Sequence, residues 1–455
     1  MKKVYEHPIT VALVFVLLFI SYLNTGYTYK KWEKKQILVS DALIYYEYLP
    51  AIFIFNDITW QFSKNRPEDF DGEVWLVTDE EGRRFPKTSI GVALLEMPFF
   101  LVALAVNQCY DLGSYGYSPL FEYWIMLGAV FYVLAGLFVL RKILIRFVSH
   151  AAALITIISF GLATGLMFYG PVSSGHSHAY SFFLVTSFIY LVMRWHDLPT
   201  FRNSILLGVT LGLITLVRPV NALIVIFAIL YSLQNKGALQ CKLNTIKKSF
   251  PKVSIAVVSS LAIVSIQLIF WKLSVGSWFV NSYGDERFFW DNPKFLEGFF
   301  GFRKGLFVYS PVLILAIFGL LIKSKKMTNS KMALLVYFGI NAYVVLSWWC
   351  WWYGGSYTHR AFLDSLAVLA IFFALFVDYL IKGRMLIQKL MVASFIGFCV
   401  YLNDFQIKQH MDSFLHYDSM TWESYKRAFL QTKFENSYWE TIEKPDYAGA
   451  RKGKR

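Results

Sequence analysis

The chain has 455 residues, of which 56% are hydrophobic, and it carries a formal net charge of +14. Soluble globular proteins are about 45–50% apolar, and here the excess lies in runs of about 16–22 residues between short charged stretches, which excludes an ordinary soluble domain and favours a polytopic helical membrane protein. The positive charge is spread over short loops without a nucleic-acid motif, as expected of loops that face an anionic membrane rather than nucleic acid.

The first apolar segment, residues 8–22, follows a Met-Lys-Lys start and fits either a signal peptide or a membrane helix. No small-residue cleavage site follows it, so we expect an uncleaved first helix. The sequence predicts an all-α polytopic membrane protein with about 11–13 transmembrane helices. The candidate spans are 8–23, 89–107, 121–140, 150–170, 179–194, 204–218, 220–234, 253–271, 306–323, 331–347, 361–381 and 386–402.

Five basic connections alternate with these spans, and the positive-inside rule makes all five cytoplasmic. They are 141–146, 194–202, 236–252, 323–326 and 382–389. The outer loops are then 24–88, 171–178, 218–219, 272–305, 348–360 and the tail 403–455. This assignment leaves one conflict. The first helix ends outside and the 121–140 helix ends inside, so the segment 89–107 between them cannot make a simple full crossing. Either it is re-entrant or a nearby boundary is misplaced.

The predicted domains are a transmembrane unit, 1–402, and a short outer tail, 403–455, which either covers the outer cavity or stays partly disordered. The first outer loop, 24–88, is expected to hold juxtamembrane helices. Asp41 opens a Tyr-rich amphipathic helix that also contains Tyr45 and Glu47. An Asp at a helix start is often a cap, and the competing interpretation is a catalytic carboxylate just above the membrane.

The first outer loop ends in a basic run, from Arg83 to Lys87. Interfacial snorkelling explains such residues in general, but three cations in five positions on an outer face oppose the positive-inside trend. They favour an anionic ligand such as phosphate. Further along, Arg218 precedes Pro219 at a helix end, where a structural role is slightly favoured over a phosphate contact. Around Tyr283, aromatic and acidic residues suit sugar binding and an ordinary interfacial loop equally.

The loop 348–360 combines six Trp and Tyr residues, a Gly pair and Arg360 between two apolar runs. Trp and Tyr concentrate at membrane–water boundaries, and an Arg near bilayer depth usually has an anionic partner. We therefore expect a site for a membrane-embedded anionic ligand here. Asp364 lies one helical turn after Arg360, and its spacing predicts an ion pair between the two. The four cysteines lack metal-binding spacing and any obvious disulfide framework.

Taken in order along the chain, these segments resemble the GT-C glycosyltransferase superfamily, especially its bacterial protein-mannosyltransferase-like and lipid-A arabinosyltransferase-like branch. The resemblance covers most of residues 8–381. It rests on the early Asp41 with its Tyr-rich helix, the Lys87 entry to a segment containing Pro98, Val217-Arg218-Pro219, the segment 302–311, and 352–360, which is similar to a Trp-x-Gly-Gly-Ser-x-Gly-x-Arg loop.

The resemblance implies an inverting glycosyltransferase at the outer face of the bacterial inner membrane. Its donor would be a sugar linked to polyprenyl phosphate in the lipid bilayer, and its acceptor a glycan, lipid or protein. Asp41 would be the general base. Lys87, Arg303, Lys304 and Arg360 would hold the donor phosphate, and the cavity would be lined by Tyr45, Glu47, His176, His178, Arg218, Trp352 and His359.

The chain departs from the family pattern at two places. The loop after the fourth helix carries His176 and His178 where many members have an acid. These histidines could bind a metal with Asp41, act as acid–base groups or hydrogen-bond sugar, so a divalent metal is an option but not a requirement. In the last loop, Thr358-His359 stands where Gly is usual.

Two other classes of function fit the same features. A transporter or flippase for a lipid-linked glycan would share the aromatic interface and the cations, but it would not need a base at Asp41. A non-catalytic assembly subunit is the third alternative. Transporters usually place their polar groups near the bilayer midplane within repeated halves. Since the chemically rich loops here share one face and no internal repeat is seen, the sequence favours an enzyme.

Overall fold

The computed structural model describes residues 7–70, 72–79, 81–233, 236–433 and 436–454. Over these residues the chain is mostly helical, and the strands found there form one two-stranded antiparallel ladder, β1 (Val77–Thr78) with β2 (Arg84–Phe85). The all-α class is thus confirmed apart from this small hairpin in the first loop.

The α-helices are numbered in chain order. They are α1 (Pro8–Tyr29), α2 (Asp41–Tyr46), α3 (Tyr48–Phe53), α4 (Gly91–Cys109), α5 (Pro119–Leu144), α6 (His150–Leu162), α7 (Leu166–Tyr169), α8 (Ser177–Asp197), α9 (Phe201–Val217), α10 (Val225–Leu230), α11 (Lys236–Lys248), α12 (Phe250–Val275), α13 (Phe295–Phe300), α14 (Leu306–Tyr309), α15 (Ile314–Leu321), α16 (Lys331–Ser347), α17 (Leu366–Lys382), α18 (Leu386–Met411), α19 (Trp422–Ala428) and α20 (Tyr447–Arg451). Short 3₁₀ turns cover Gln61–Ser63, Pro219–Ile224, Pro311–Leu313, Lys325–Met327, Arg360–Ser365 and Asn436–Thr441.

Six helical segments of the described chain are long and apolar enough to cross a membrane, and five more apolar helices of 10–17 residues accompany them. The six are α1, α4, α5, α12, the continuous segment Arg360–Lys382 and α18. The helices are compatible with a multi-pass membrane protein.

Several predicted spans are interrupted rather than continuous. The spans 220–234 and 306–323 contain 3₁₀ turns that start at Pro219 and Pro311, because proline lacks the backbone donor that an α-helix needs. The span 150–170 breaks after Leu162, where the buried Asn403 amide from α18 donates to the Leu162 carbonyl at 2.8 Å. This side chain satisfies a carbonyl that the helix end leaves open.

The five basic connections meet at one end of the bundle, which we call the basic end (residues 141–150, 194–202, 231–233, 236–252, 322–331 and 378–389). The contacts that join them are Arg146 with Asp197, the Ser149 amide with Asp378, the His196 ring with Tyr231, and the Ser232 amide with the Asn329 carbonyl. The predicted outer loops meet at the opposite end, here called the site end, which contains Asp41 and Arg360. The grouping of loops predicted from charge is therefore observed.

Helix α4 occupies the segment whose crossing was in conflict. It runs antiparallel to α5, since the Tyr132 hydroxyl donates to the Leu95 carbonyl at 3.0 Å and the Phe100 ring lies 5.2 Å from that of Phe121. At its start, a Cβ on Gly91 would lie 2.3 Å from the Leu216 backbone, so only glycine permits this approach.

The two ends of α4 contact different parts of the structure. Leu216 at its start is two residues before Arg218, and beyond its last turn the Gly116 carbonyl accepts a 2.5 Å hydrogen bond from Tyr46 of the first loop. The segment is one continuous 19-residue helix, apolar enough to cross a membrane, so the structure gives no turn within it that a re-entrant segment would need.

The tail begins later than predicted and is folded. Helix α18 continues to Met411, nine residues past the predicted boundary at 402. Beyond it the Ser356 amide donates to the Tyr417 carbonyl at 3.1 Å, and the Tyr447 hydroxyl donates to Asp418 at 2.7 Å. Residues 412–433 and 436–454 thus include a layer packed on the loop 348–360, as the covering alternative requires. Arg455, the last of the basic residues at the chain end, lies outside the described residues.

Candidate functional site

A direct contact between the first and last outer loops defines the centre of the site. Arg360 Nη2 donates to Asp41 Oδ2 at 2.7 Å, although the two residues are 319 positions apart. The Asp41 side chain is 47% exposed and that of Arg360 only 11%. The Nε donor of Arg360 is buried and has no hydrogen-bond partner. The site thus offers an accessible carboxylate beside a guanidinium with unused donor capacity.

The backbone around this contact is strained at residues where glycine would be easier. Ser40, just before Asp41, has φ 53° and ψ −131°. In the last loop Tyr353 and Thr358 have φ of 56° and 52°. Such conformations cost of order 1–3 kcal/mol for non-glycine residues and tend to occur at functional sites. Thr358 thus adopts the left-handed backbone that Gly would favour.

The charge of Arg360 also controls the acidity of Asp41. Partial burial favours the neutral acid, but the guanidinium outweighs this and holds the pKa of the Asp41 carboxyl well below its usual range. Asp41 is therefore ionised at neutral pH and is a weak base for as long as Arg360 compensates its charge.

A second, buried charge cluster lies beside the first. Asp364 Oδ1 is 2.9 Å from His178 Nδ1, and its Oδ2 accepts from Asn221 Nδ2 at 2.8 Å. Arg218 Nε lies 3.4 Å from the same Oδ2, and Asp364 is 1% exposed. The predicted ion pair between Asp364 and Arg360 is wrong. Residues 360–365 form a 3₁₀ turn, in which residues four apart do not share a face.

The two histidines both lie at the site end. His176 Nδ1 is 3.1 Å from Ser173 Oγ, and the Tyr169 ring packs against His176 and His178 at 5.8 and 5.4 Å. Burial, supported by the charge of Arg360, lowers the pKa of His176 to about 3. His176 is therefore neutral at physiological pH and can both donate and accept a hydrogen bond.

A metal centre receives no support from this geometry. Within the described residues, no group of three or more His, Cys, Asp or Glu side chains converges as a metal ion would require. His178 uses Nδ1 on Asp364, and Asp41 is paired with Arg360.

Tyr45 and Lys87 lie near the Asp41–Arg360 pair. Tyr45 follows Asp41 by one turn of α2, and burial raises the pKa of its hydroxyl. Lys87 Nζ lies 2.5 Å from Glu286 and 4.9 Å above the Tyr283 ring. Glu286, 8% exposed, also lies 3.6 Å from Arg451. The Lys87 charge is thus compensated by the 272–305 loop and is available to a ligand only if it leaves Glu286.

Arg303 and Lys304 form contacts that hold neighbouring loops together, and neither contacts Asp41. Arg303 Nη1 donates to the Asp418 carbonyl at 2.7 Å and its guanidinium lies 5.7 Å from the Trp352 ring. Lys304 is 2% exposed, and its ammonium donates to the Ser356 carbonyl. These contacts tie the 272–305 region to the last loop and the tail, so the predicted phosphate role of both cations is not supported by their positions.

Three further predicted cavity residues are buried in packing contacts. Trp352, 3% exposed, packs under Arg303 and Tyr447. His359, 1% exposed, packs its ring 4.7 Å from that of Phe362. Glu47 is fully buried in the first loop, where its carboxyl accepts from the Trp75 amide and the Tyr117 hydroxyl.

The environment of Glu47 explains why it is not a cavity residue. Burial raises the pKa of the Glu47 carboxyl to about 8, so the group is largely protonated at neutral pH. Its hydrogen bonds connect parts of the first loop with one another and with Tyr117. Conversely, Asn221, Ser177 and Tyr169 belong to the site and were not predicted. Asn221 follows Arg218-Pro219 by two residues, and that short spacing after a helix end is the signal that could have identified it.

The buried Lys304 gives a pH-dependent expectation. Burial lowers the pKa of its ammonium to about 7, whereas an unfolded lysine titrates near 10.4. Between these values the unfolded chain binds more protons, so the folded state gains stability as pH rises, by up to about 1.4 kcal/mol per pH unit. We expect the thermal midpoint of the wild type, relative to Lys304→Met, to rise between pH 7 and pH 9 in detergent. Parallel pH profiles of the two proteins would contradict this.

No model of a known protein family and no curated protein matches this chain.

Proposed function

We propose that this protein is a membrane glycosyltransferase with a GT-C-like bundle. It would transfer a sugar from a polyprenyl-phosphate-linked donor to a glycan, lipid or protein acceptor at the outer face of a bacterial inner membrane. The observation that carries the proposal is the Asp41–Arg360 contact, in which an accessible carboxylate lies against a guanidinium whose Nε has no partner. A lipid-phosphate-sugar reaction needs one base and at least one phosphate-binding cation at the same place.

In the proposed reaction the donor phosphate binds the unused donors of Arg360. A planar guanidinium suits the oxygens of a phosphodiester, because it can offer two parallel N–H groups. The bound anion adds a negative charge beside Asp41 and so raises the pKa of its carboxyl. Donor binding thus turns a weakly basic, ion-paired Asp41 into a better base when the acceptor hydroxyl is present.

The chemical step is one inverting displacement. Asp41 takes the proton of the acceptor hydroxyl as its oxygen forms a bond to the anomeric carbon. The bond between that carbon and the phosphate oxygen breaks, and its electron pair leaves with the polyprenyl phosphate. Arg360 stabilises the charge that grows on the leaving phosphate. The partly buried Arg218, paired with Asp364, adds a fixed positive charge nearby.

A flippase is the second candidate, and the site favours an enzyme over it for one reason. A flippase needs cations that bind the phosphate. It does not need a carboxylate such as Asp41, which pairs with the phosphate-binding Arg360. In this site Asp41 competes for Arg360, which lowers anion affinity unless the carboxylate itself takes part.

Substitution of Arg360 tests the proposal. Arg360→Lys keeps the charge but loses the planar fork and should weaken donor use; Arg360→Ala should be worse, by roughly ten- to a hundred-fold, since a charged hydrogen bond contributes about 1.5–3 kcal/mol. The measurement is donor-dependent transfer together with polyprenyl-phosphate binding by the purified proteins, with native mass spectrometry to identify co-purified lipid-linked sugar. Arg287→Ala, an exposed cation at the same end, is the matched control. Wild-type transfer and binding in Arg360→Ala would place the phosphate site elsewhere.

A further inference from the structure

An amphipathic helix lies at the basic end, which is the end of the bundle opposite the candidate reaction site. Helix α11 presents Leu239, Leu243 and Ile246 on one stripe, at the spacing of a single helix face. From 231 to 252 the sequence contains lysines and no acidic residue. This combination of a Leu/Ile face and a lysine-rich remainder is typical of helices that lie in a membrane interface.

The apolar stripe of α11 covers a cavity of about 300 Å³. Its wall is almost entirely apolar and is built from α8, α9, α10, α11 and α12, with Trp195, Ala228 and Val253 among the lining residues. Ile229 and Leu243, which also line it, are 57% and 43% exposed, so the cavity reaches the protein surface. Its size is at the lower end of ligand-binding pockets.

Lys242 fixes α11 in this position. Its ammonium donates to the carbonyls of Ala228, Ile229 and Tyr231 at 2.8, 2.7 and 2.9 Å, where α10 ends. A cation on the open carbonyls of a helix C-terminus is favourable because it meets unpaired acceptors and the negative end of the helix dipole. The covering helix is therefore attached at a defined place and leaves the apolar space beneath it.

We propose that this cavity holds an acyl chain of an anionic phospholipid, with the lipid headgroup against the lysines at the end of α11. Two features identify the occupant. The wall is almost entirely apolar, which suits a hydrocarbon chain. The exposed Lys247 and Lys248 follow directly after the lining Ile246. Because all charges of this segment are positive, an anionic headgroup complements it and a neutral one does not. The inference does not rest on the proposed glycosyl transfer.

The test uses the full-length protein in nanodiscs that contain phosphatidylcholine and phosphatidylglycerol in equal amounts. After extraction, native mass spectrometry counts the lipids that stay bound, with no sugar donor present. Leu243→Trp should fill the cavity from the covering helix and remove most of the retained phosphatidylglycerol. Leu261→Trp places the same side chain on the 62% exposed face of α12 outside the cavity and should retain the lipid as the wild type does.

The charge of the segment is tested separately. Replacing Lys247 and Lys248 by Gln keeps the cavity and should reduce the preference for phosphatidylglycerol over phosphatidylcholine by up to about thirty-fold, from the usual contribution of two interfacial lysines. Leu239→Trp serves as a second filling variant if Leu243→Trp does not fold. Equal retention of both lipids by the wild type, or undiminished phosphatidylglycerol in the folded filling variant, would overturn the proposal.

Discussion

Asp41→Asn is expected to lower donor-dependent sugar transfer by about 10²–10⁴-fold, the usual effect of losing a positioned base. The amide keeps the size of the side chain but cannot take the acceptor proton. Arg360 is also released from its carboxylate partner, so binding of polyprenyl phosphate should stay at the wild-type level or become tighter. The measurement is transfer and lipid binding on the same purified samples. A flippase should tolerate this change, so near-normal transfer in the variant would remove Asp41 from the mechanism.

The same assignment predicts how the rate depends on pH. The pKa of Asp41 is held low by Arg360 in the free protein, and a bound phosphate should raise it. The acid limb of kcat, which reports the donor complex, should therefore lie at higher pH than that of kcat/KM, which reports the free enzyme. Asp69→Asn changes an exposed carboxylate of the same loop and should leave both limbs unchanged. Coincident limbs in the wild type would argue against activation by the donor.

Arg218→Met is expected to destabilise the folded protein by about 3–5 kcal/mol, because it leaves the Asp364 carboxylate buried without its cation. Asp364 would still contact Asn221 and His178. Asn221 is uncharged, and His178 carries a charge only when it is protonated, so neither replaces the lost cation. The midpoint of thermal unfolding in detergent, followed through tryptophan fluorescence, is the measurement. Arg194→Met removes an exposed arginine of α8 at the basic end and is the control.

A double variant separates this ion pair from simple packing loss. When Asp364→Asn accompanies Arg218→Met, no charge is left unpaired, so the double variant should be more stable than the sum of the two single effects predicts. Additive losses would show that Arg218 contributes only contact area. The Arg218–Asp364 ion pair would then not hold the cation of the proposed site in place.

The sequence alone was sufficient for the helical class and for the arrangement of the loops. Apolar runs of membrane-spanning length form helices whatever their neighbours are, since a helix satisfies its own backbone donors and acceptors. Loop charge placed the five basic connections together, and the contacts between Arg146 and Asp197 and between Ser149 and Asp378 confirm that grouping. Local pattern also singled out Asp41 and Arg360, because an acid or a cation among interfacial aromatics stands out without any knowledge of its partner.

Only the tertiary structure decided which charges meet and which are buried. Asp41 reaches Arg360 across 319 positions and His178 reaches Asp364 across 186, and no local spacing encodes such pairs. Arg360 and Lys304 are both cations beside aromatic residues in the sequence. In the structure Arg360 is placed to contact a ligand, whereas Lys304 holds two loops together through the Ser356 carbonyl. What separates them is burial, which depends on how distant helices and the tail pack, and burial determines whether a charge remains available to a ligand.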